Sequence, residues 1–279
     1  MTPPVDAALA VDWLGLCRRA AAGARDAMER HALPADRAAT AGRGMGGDMS
    51  LVIDREAEDV VFAELEALEL PLTAISEERG EVQIAGGGPV YVVVDPIDGS
   101  RNAKRGLPAY ALSIAIASGP SMADVEIGYV YNLSTGEDWC AQRGEGAFCD
   151  GTQVEVSQGG DLELVGLETA HPALVAEHSD ALAATGAARL RNLGSIALSL
   201  CYVAAGRLDA LVTLGATRSV DCAAGQLIVS EAGGAVSFPE AAAGGEPAGT
   251  SLGLDMRSRV VAAAGPDLVE RLIGIGRTA

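Results

Sequence analysis

The 279-residue sequence predicts an α/β-layered (α+β) fold, with an N-terminal α+β half over residues 1–150 and a C-terminal α/β half over residues 151–279 closing on one cleft. Three patterns carry this expectation. Apolar residues recur at helical intervals over Val5 to His31 and again from Asp54 to Leu68. The middle third holds strand-like runs at hairpin spacing, Ala111 to Ala117, Val125 to Tyr131, Glu137 to Ala141 and Gly146 to Cys149, the pattern of an antiparallel sheet. From Leu162 onward strands and helices alternate instead.

Composition narrows the function. Hydrophobic residues make up 49% of the chain and aromatics only 4%, so Ala, Val and Leu must fill the core. A net charge of −18 argues against nucleic acid and anionic membrane as partners, because both require basic surface. Lys104 is the single lysine among twenty basic residues. The five cysteines form no CxxC, which argues against zinc. Cys140 and Cys149 could pair across a hairpin, but reduced thiols are the expected state in a cytosolic enzyme. The start lacks a basic segment followed by an apolar one, and no run reaches transmembrane length, so a cytoplasmic protein is expected.

In order, Val5 to His31 reads as one long packing helix, with Asp6 near its start, Arg25, Arg30 and His31 towards its end, and Trp13 in the core. Ala41 to Gly47 is glycine-rich, but no strand precedes it and no clean apolar helix follows, so it reads as a loop at the site's mouth rather than a dinucleotide fingerprint. Asp54 opens the second helix and could serve as its N-cap. Leu72 to Ile75 is a short strand ending in Ser76-Glu77-Glu78. Adjacent acids at a strand end ordinarily face water, so Glu77 gains meaning only if further carboxylates join it.

The next strand supplies them, in the run Tyr91-Val-Val-Val-Asp95-Pro96-Ile97-Asp98-Gly99-Ser100. Pro96 keeps Asp95 extended while the chain turns after it. The two carboxylates and the Ile97 carbonyl can then converge, an all-oxygen set suited to Mg²⁺. Gly99 and Ser100 would add backbone N–H groups at a helix start, where an anion is stabilised. The plainer alternative is an Asp-Pro turn with Asp98 as a cap.

Downstream, the Asp150-Gly151 turn precedes strands at Leu162–Leu167 and Ala188–Leu193, separated by a helix near Ala173–Ala184. Gly194-Ser195 begins a helix running to about Ala205, with Ser195 placed to cap it. Leu208 to Leu214 is a strand, and the helix from Ser219 to Glu231 carries Asp221 in its first turn, where a carboxylate is favoured. Ala241 to Ser251 is a surface loop, and a strand at Arg259–Ala264 with a helix from Pro266 complete the chain. His31, His171 and His178 have no ligand spacing and fall on expected surface segments.

Together, Ser76-Glu77-Glu78, Asp95-Pro96-Ile97-Asp98-Gly99-Ser100 and Val220-Asp221-Cys222-Ala223-Ala224-Gly225 resemble, in order and spacing, the three metal motifs of the inositol monophosphatase family. The resemblance runs from about Asp48 to Gly234. Asn102 to Pro108 and Leu200 to Arg207 look most like the archaeal-type enzymes, which hydrolyse both inositol monophosphate and fructose 1,6-bisphosphate. The resemblance implies the five-layer αβαβα sandwich of the sugar-phosphatase superfamily, a phosphate monoester as substrate, two or three Mg²⁺ ions, and a homodimer. Asp54 becomes a more distant metal-site residue, a role compatible with helix capping, and Arg43 takes the place of a basic residue in the loop.

On this reading Glu77, Asp95 and the Ile97 carbonyl hold a first Mg²⁺, with Glu77 and Ser100 orienting the attacking water. Asp95 bridges to a second ion held by Asp98 and Asp221. Gly99 and Ser100 cradle phosphate, Gly194 and Ser195 contact substrate, and Arg218 adds a positive group. Arg189 and Arg191 could hold a second phosphate. Val220 replaces the Trp common before the metal aspartate, and Leu214 stands where animal-type enzymes carry a substrate-binding acid, which weakens an expectation of strict inositol specificity. A credible Ser-His-Asp or Cys-His arrangement is lacking, which disfavours a covalent intermediate. Two alternatives remain: a phosphatase of 3′-phosphoadenosine 5′-phosphate or another sugar phosphate, and a non-enzymatic family member.

Overall fold

The computed structural model describes residues 5–45, 49–159, 161–241 and 245–275. Helices α1 (Val5–Leu9), α2 (Trp13–Arg30) and α3 (Pro34–Arg37) lead to a small hairpin, β1 (Thr40–Arg43) and β2 (Met49–Leu51), and to α4 (Val52–Glu66). Strands β3 (Leu72–Ser76), β4 (Gly80–Ile84) and β5 (Tyr91–Asp98) come next, then α5 (Ser100–Arg105). The meander β6 (Ala111–Ala117), β7 (Val125–Asn132), β8 (Asp138–Gln142), β9 (Gly146–Cys149) and β10 (Thr152–Val154) completes an eight-stranded sheet of order β10-β9-β8-β7-β6-β5-β3-β4. All its pairings are antiparallel except that of β3 with β5.

The second sheet has β11 (Leu164–Glu168) in parallel contact with both β12 (Arg189–Arg191) and β13 (Ala210–Thr213). Helices α6 (Pro172–Glu177) and α7 (Ser179–Ala184) link β11 to β12, and α8 (Ile196–Ala204) links β12 to β13. Helix α9 (Ser219–Glu231) precedes β14 (Ala235–Ser237) and β15 (Val261–Ala263), which close the order β12-β11-β13-β15-β14, and α10 (Pro266–Ile273) comes last.

Strand alternation stacks these elements into the expected αβαβα layers. On β5, Val92 and Val94 join Trp13, Leu16, Val61, Phe62 and Leu65 of α2 and α4, whereas Val93 faces the α8–α9 layer with Leu198, Leu200, Leu227 and Ile228. On the second sheet, Leu211 and Ala262 face that same helical layer, while Ala210, Val212, Val261 and Ala263 meet Leu182, Val269 and Leu272 of the outer helices. Helix α9 is thus enclosed between two sheets, and from Ser219 to Val229 every residue is buried. Its approach to the large sheet is close: a Cβ on Gly128 of β7 would stand 2.5 Å from the Ala224 carbonyl oxygen.

Several expectations change. The predicted single helix over Val5–His31 is two, because the Asp12 carboxylate accepts from the Gly15 N–H at 2.9 Å and starts a new helix at Trp13. Trp13 is core, as expected, its indole donating to the Ala8 carbonyl. Asp54 is not an N-cap: it is the third residue of α4 and accepts from the Leu51 N–H at 2.8 Å. The helix near Ala173–Ala184 breaks at His178, which is buried rather than on the surface. Cys140 and Cys149 cannot bridge, since Cys140 pairs with Phe148 and Cys149 with Trp139, and the two thiols enter the cores on opposite faces of the sheet. All five thiols are free and buried. The glycine-rich stretch contributes β1, while Gly46 to Asp48 and the side chain of Arg43 lie outside the described residues. Among the described residues, no helix is long and apolar enough to cross a membrane.

Candidate active site

Strand pairing brings the acids together. In the parallel pair β3–β5, Ser76 lies opposite Val94, and the Glu77 N–H reaches the Val94 carbonyl at 3.4 Å. Glu77 and Asp95 therefore leave the carboxyl ends of adjacent parallel strands. Asp95 and Asp98 are three residues apart and would face opposite ways on a regular strand. Their partners on β6, Ser113 and Ala111, are only two apart, so β5 carries one extra residue between them. This bulge, at the residue pair containing Pro96, returns both carboxylates to one side.

Gly99 then turns the chain at φ 93°, a conformation that penalises any side chain, and a Cβ there would also stand 2.9 Å from the Ala109 carbonyl and 3.0 Å from that of Gly194. Ser100 starts α5 and donates its hydroxyl to the Ile97 carbonyl at 2.9 Å.

The C-terminal half closes on this corner. Asp98 accepts from the Ser195 hydroxyl at 2.6 Å and from the Ala197 N–H at 2.7 Å, while Ser195 caps α8 through the Leu198 N–H. Asp221, in the first turn of α9, accepts from the Arg218 N–H at 2.8 Å. The Arg218 guanidinium stands between the halves, 2.8 Å from Asp221 Oδ1 and 2.5 Å from Glu77 Oε1.

Burial makes these acids costly to ionise. It pushes Asp95 well above the usual carboxylate range, with the Glu77, Asp98 and Asp221 charges adding to it. Asp98 is raised to about 8 by burial and by Asp221, against the opposing hydrogen bonds from Ser195 and Ala197. Glu77 is raised by burial although Arg218 opposes it. Asp54 is pushed up to about 7 by burial and the Glu78 and Glu77 charges, with the Leu51 N–H and Ser100 hydroxyl pulling the other way. For Arg218, burial alone would favour the neutral form, but Asp221 and Glu77 outweigh it and keep the guanidinium protonated.

The donor set fits a hard divalent cation. It is all oxygen, and Asp95 Oδ2 is fully buried without a hydrogen-bond partner, the condition of a ligand made to meet a cation. Asp54 Oδ1 is in the same condition nearby. As the side chains stand, no three acids among the described residues are close enough to share one ion.

Other predicted residues take different places. Arg189 and Arg191 are exposed on β12 at the sheet's edge, their guanidinium groups donating to the Ala188 and Leu190 carbonyls. Gly194 adjoins the site through the loop that ends in Ser195. Two further residues at the site were given no role there from the sequence. Asn102 donates to the Leu193 carbonyl at 2.6 Å and the Ala109 carbonyl at 2.8 Å. Glu168, buried at the end of β11, accepts from the N–H groups of Leu193 and Gly194 and from the Ser199 hydroxyl. The signal for Glu168 was an acid closing an apolar strand, the same one that marked Asp95.

Comparison with known proteins agrees with this architecture. The family model described as "Inositol monophosphatase family" matches residues 15–277. A fructose-1,6-bisphosphatase/inositol-1-monophosphatase of Methanothermobacter thermautotrophicus is 36% identical over 240 residues, covering 82% of this chain and 84% of its own. The protein of that name from Archaeoglobus fulgidus is 33% identical, covering 94% and 97%. The crystal structure of extragenic suppressor protein suhB from Bartonella henselae superposes with a TM-score of 0.78 at 27% identity, covering 96% of this chain and all of that one. With acids at adjoining strand ends and Asp221 brought to them by α9, the chain belongs to the inositol monophosphatase family of phosphatases.

Proposed function

We propose that this phosphatase is Mg²⁺-dependent and hydrolyses the phosphate monoesters of inositol monophosphate and fructose 1,6-bisphosphate. The observation that carries the reading is the unpartnered, fully buried Asp95 Oδ2, flanked in charge by Glu77, Asp98 and Asp221. The two archaeal relatives, both named fructose-1,6-bisphosphatase/inositol-1-monophosphatase, support this substrate pair.

Glu77, Asp95 and the Ile97 carbonyl would hold one ion, and Asp95, Asp98 and Asp221 a second. Bound there, Mg²⁺ supplies Lewis-acid charge that makes water a nucleophile near neutral pH and offsets charge on the leaving oxygen. The chain's own groups do the rest. Glu77 and the Ser100 hydroxyl would orient the water for in-line attack on phosphorus. The N–H groups of Gly99 and Ser100, which precede the first bonded N–H of α5 at Asn102, would face the phosphate oxygens as fixed dipoles. Gly194 and Ser195 contact the substrate from the other half, and Arg191 is available to a second phosphate. Cytoplasmic, homodimeric action on small phosphate esters completes the reading.

The test is phosphate release with and without Mg²⁺ from inositol 1-phosphate, fructose 1,6-bisphosphate and 3′-phosphoadenosine 5′-phosphate in parallel. Turnover of the first two, only with metal, is expected. Preference for the nucleotide would move the substrate to another class, and release unaffected by chelation would overturn the metal reading.

A further inference from the structure

Between the antiparallel strands β3 and β4, where Ser76 pairs with Gly80, the chain turns in three residues, and Glu77 is the first of them. Its own backbone is loosely tied, since the Glu77 N–H meets the Val94 carbonyl at 3.4 Å, longer than is usual for such a bond. The turn is held from another element. Glu58 of α4 is 1% exposed, and its Oε1 accepts from the Ser76 hydroxyl and from the Arg79 N–H at 3.1 Å, while Oε2 accepts from Arg79 Nε at 3.2 Å. One buried carboxylate therefore grips the residue before Glu77 and the last residue of the turn that Glu77 begins. The acid between them is engaged elsewhere: the Glu78 carboxylate accepts from the Ser50 hydroxyl of β2.

We propose that Glu58 is the positioning residue for Glu77, the group on α4 that fixes the β3–β4 turn and so aims the Glu77 carboxylate at the cation. The inference rests on the metal-dependent reading above and adds to it the support of one ligand arm. Asp95 stays within β5, paired to Ser113 of β6, and the sheet itself aims it. Glu77 has already left its strand, so its direction follows the turn. Glu58 acts by geometry rather than by field, because the Arg79 guanidinium beside it balances its charge. Asp54, one helical turn earlier on the same face of α4, differs in keeping Oδ1 without a hydrogen-bond partner. Without the Glu58 carboxylate the buried Ser76 hydroxyl and the Arg79 N–H lose their acceptor, and the turn shifts to satisfy them, carrying Glu77 with it. An apolar side chain of similar size would fill the space and leave the turn unheld.

The test is Mn²⁺ titration of the full chain without substrate, followed by electron paramagnetic resonance, in the wild type, Glu58→Met, Glu58→Ala and Arg79→Ala, with urea unfolding of each. Glu58→Met keeps the interior filled, which guards against a fold defect in the alanine variant. Arg79→Ala removes the same ion pair but leaves the backbone N–H of position 79 and the Ser76 hydroxyl on Glu58, so it reports lost stability without loss of the hold on the turn. Both Glu58 variants should bind Mn²⁺ about tenfold or more weakly, the usual size for removing a group that orients a metal ligand, and Arg79→Ala should change the affinity much less. The Mg²⁺ concentration for half-maximal phosphate release should rise by the same factor in the Glu58 variants. Wild-type Mn²⁺ affinity in a folded Glu58 variant, or an equal loss in Arg79→Ala, would overturn the positioning role and leave the metal reading standing. A wild type that binds no Mn²⁺ would overturn the metal reading and this inference with it.

Discussion

Glu168 offers the sharpest test of how the two halves are locked at the site. It is 2% exposed and accepts three hydrogen bonds, from Leu193 N–H at 2.8 Å, Gly194 N–H at 3.0 Å and Ser199 Oγ at 2.8 Å. Two of these partners are backbone groups of the loop that delivers Ser195 to Asp98. Replacing Glu168 by Ala leaves the buried Ser199 hydroxyl without an acceptor, at about 1–3 kcal/mol, and takes theirs from the N–H groups of half-buried Leu193 and exposed Gly194, at about 0.5–1.5 kcal/mol each. Against that loss stands relief of a buried carboxylate, which burial holds above its ordinary pKa. A net cost of about 3 kcal/mol is reasonable, and with a urea dependence of about 3 kcal/mol per M the unfolding midpoint should fall by about 1 M. Glu168→Gln keeps the shape but turns an N–H₂ towards one of the donors, and should lose somewhat less. Both should raise KM for the phosphate ester, because the Gly194–Ser195 loop loses its anchor. Unfolding at the wild-type urea concentration with unchanged kinetics would refute the reasoning.

The remaining expectations are more local. Asp95→Asn removes the shared anionic ligand and should abolish turnover with the circular dichroism spectrum intact; near-normal rates would discard the assignment. Gly99→Ala forces a side chain into φ 93° against the Ala109 and Gly194 carbonyls, and should cost about 1–3 kcal/mol in strain alone and most of the activity; a variant as stable and active as wild type would show that the turn is not rigid. For Glu240, burial acts upward but is outweighed by hydrogen bonds from Arg259, which hold the carboxyl below its ordinary range. A depressed carboxylate contributes stability above its unfolded pKa that is lost as pH falls through the folded one. Acid melts should therefore show Glu240→Gln narrowing the difference between pH 6 and pH 3, and parallel profiles for both proteins would contradict this.

Periodicity read most of the fold. The meander of β6 to β9, the helix over Ser219–Glu231 and the alternation after Leu162 are long or regular enough for local pattern to decide them. Short or capped features were lost: β4, β10 and β14 have three to five residues, too few for alternation to declare itself, and the break before Trp13 depends on one aspartate choosing a backbone N–H. At the site, residue type and spacing pointed to Glu77, Asp95, Asp98 and Asp221. The bulge that aims two of them to one side is a pairing property between strands, and local sequence does not contain it. Arg218 was legible as a positive group near the site, but its grip on both oxygens of Asp221 depends on α9 being held at a particular depth between two sheets.

That depth has a consequence for how this protein can vary. Gly128 lies on a strand far in sequence from every candidate ligand and carries no chemistry, yet a single methyl there would meet the backbone of α9 at Ala224, three residues after Asp221. It acts as a spacer of zero thickness, and the helix cannot retreat because the second sheet stands behind it. In a saturation mutagenesis screen scored on phosphatase activity, position 128 should look like an active-site residue, intolerant of even alanine, and a map drawn from such scores would place a false hot spot on the floor beneath the helix rather than in the cleft.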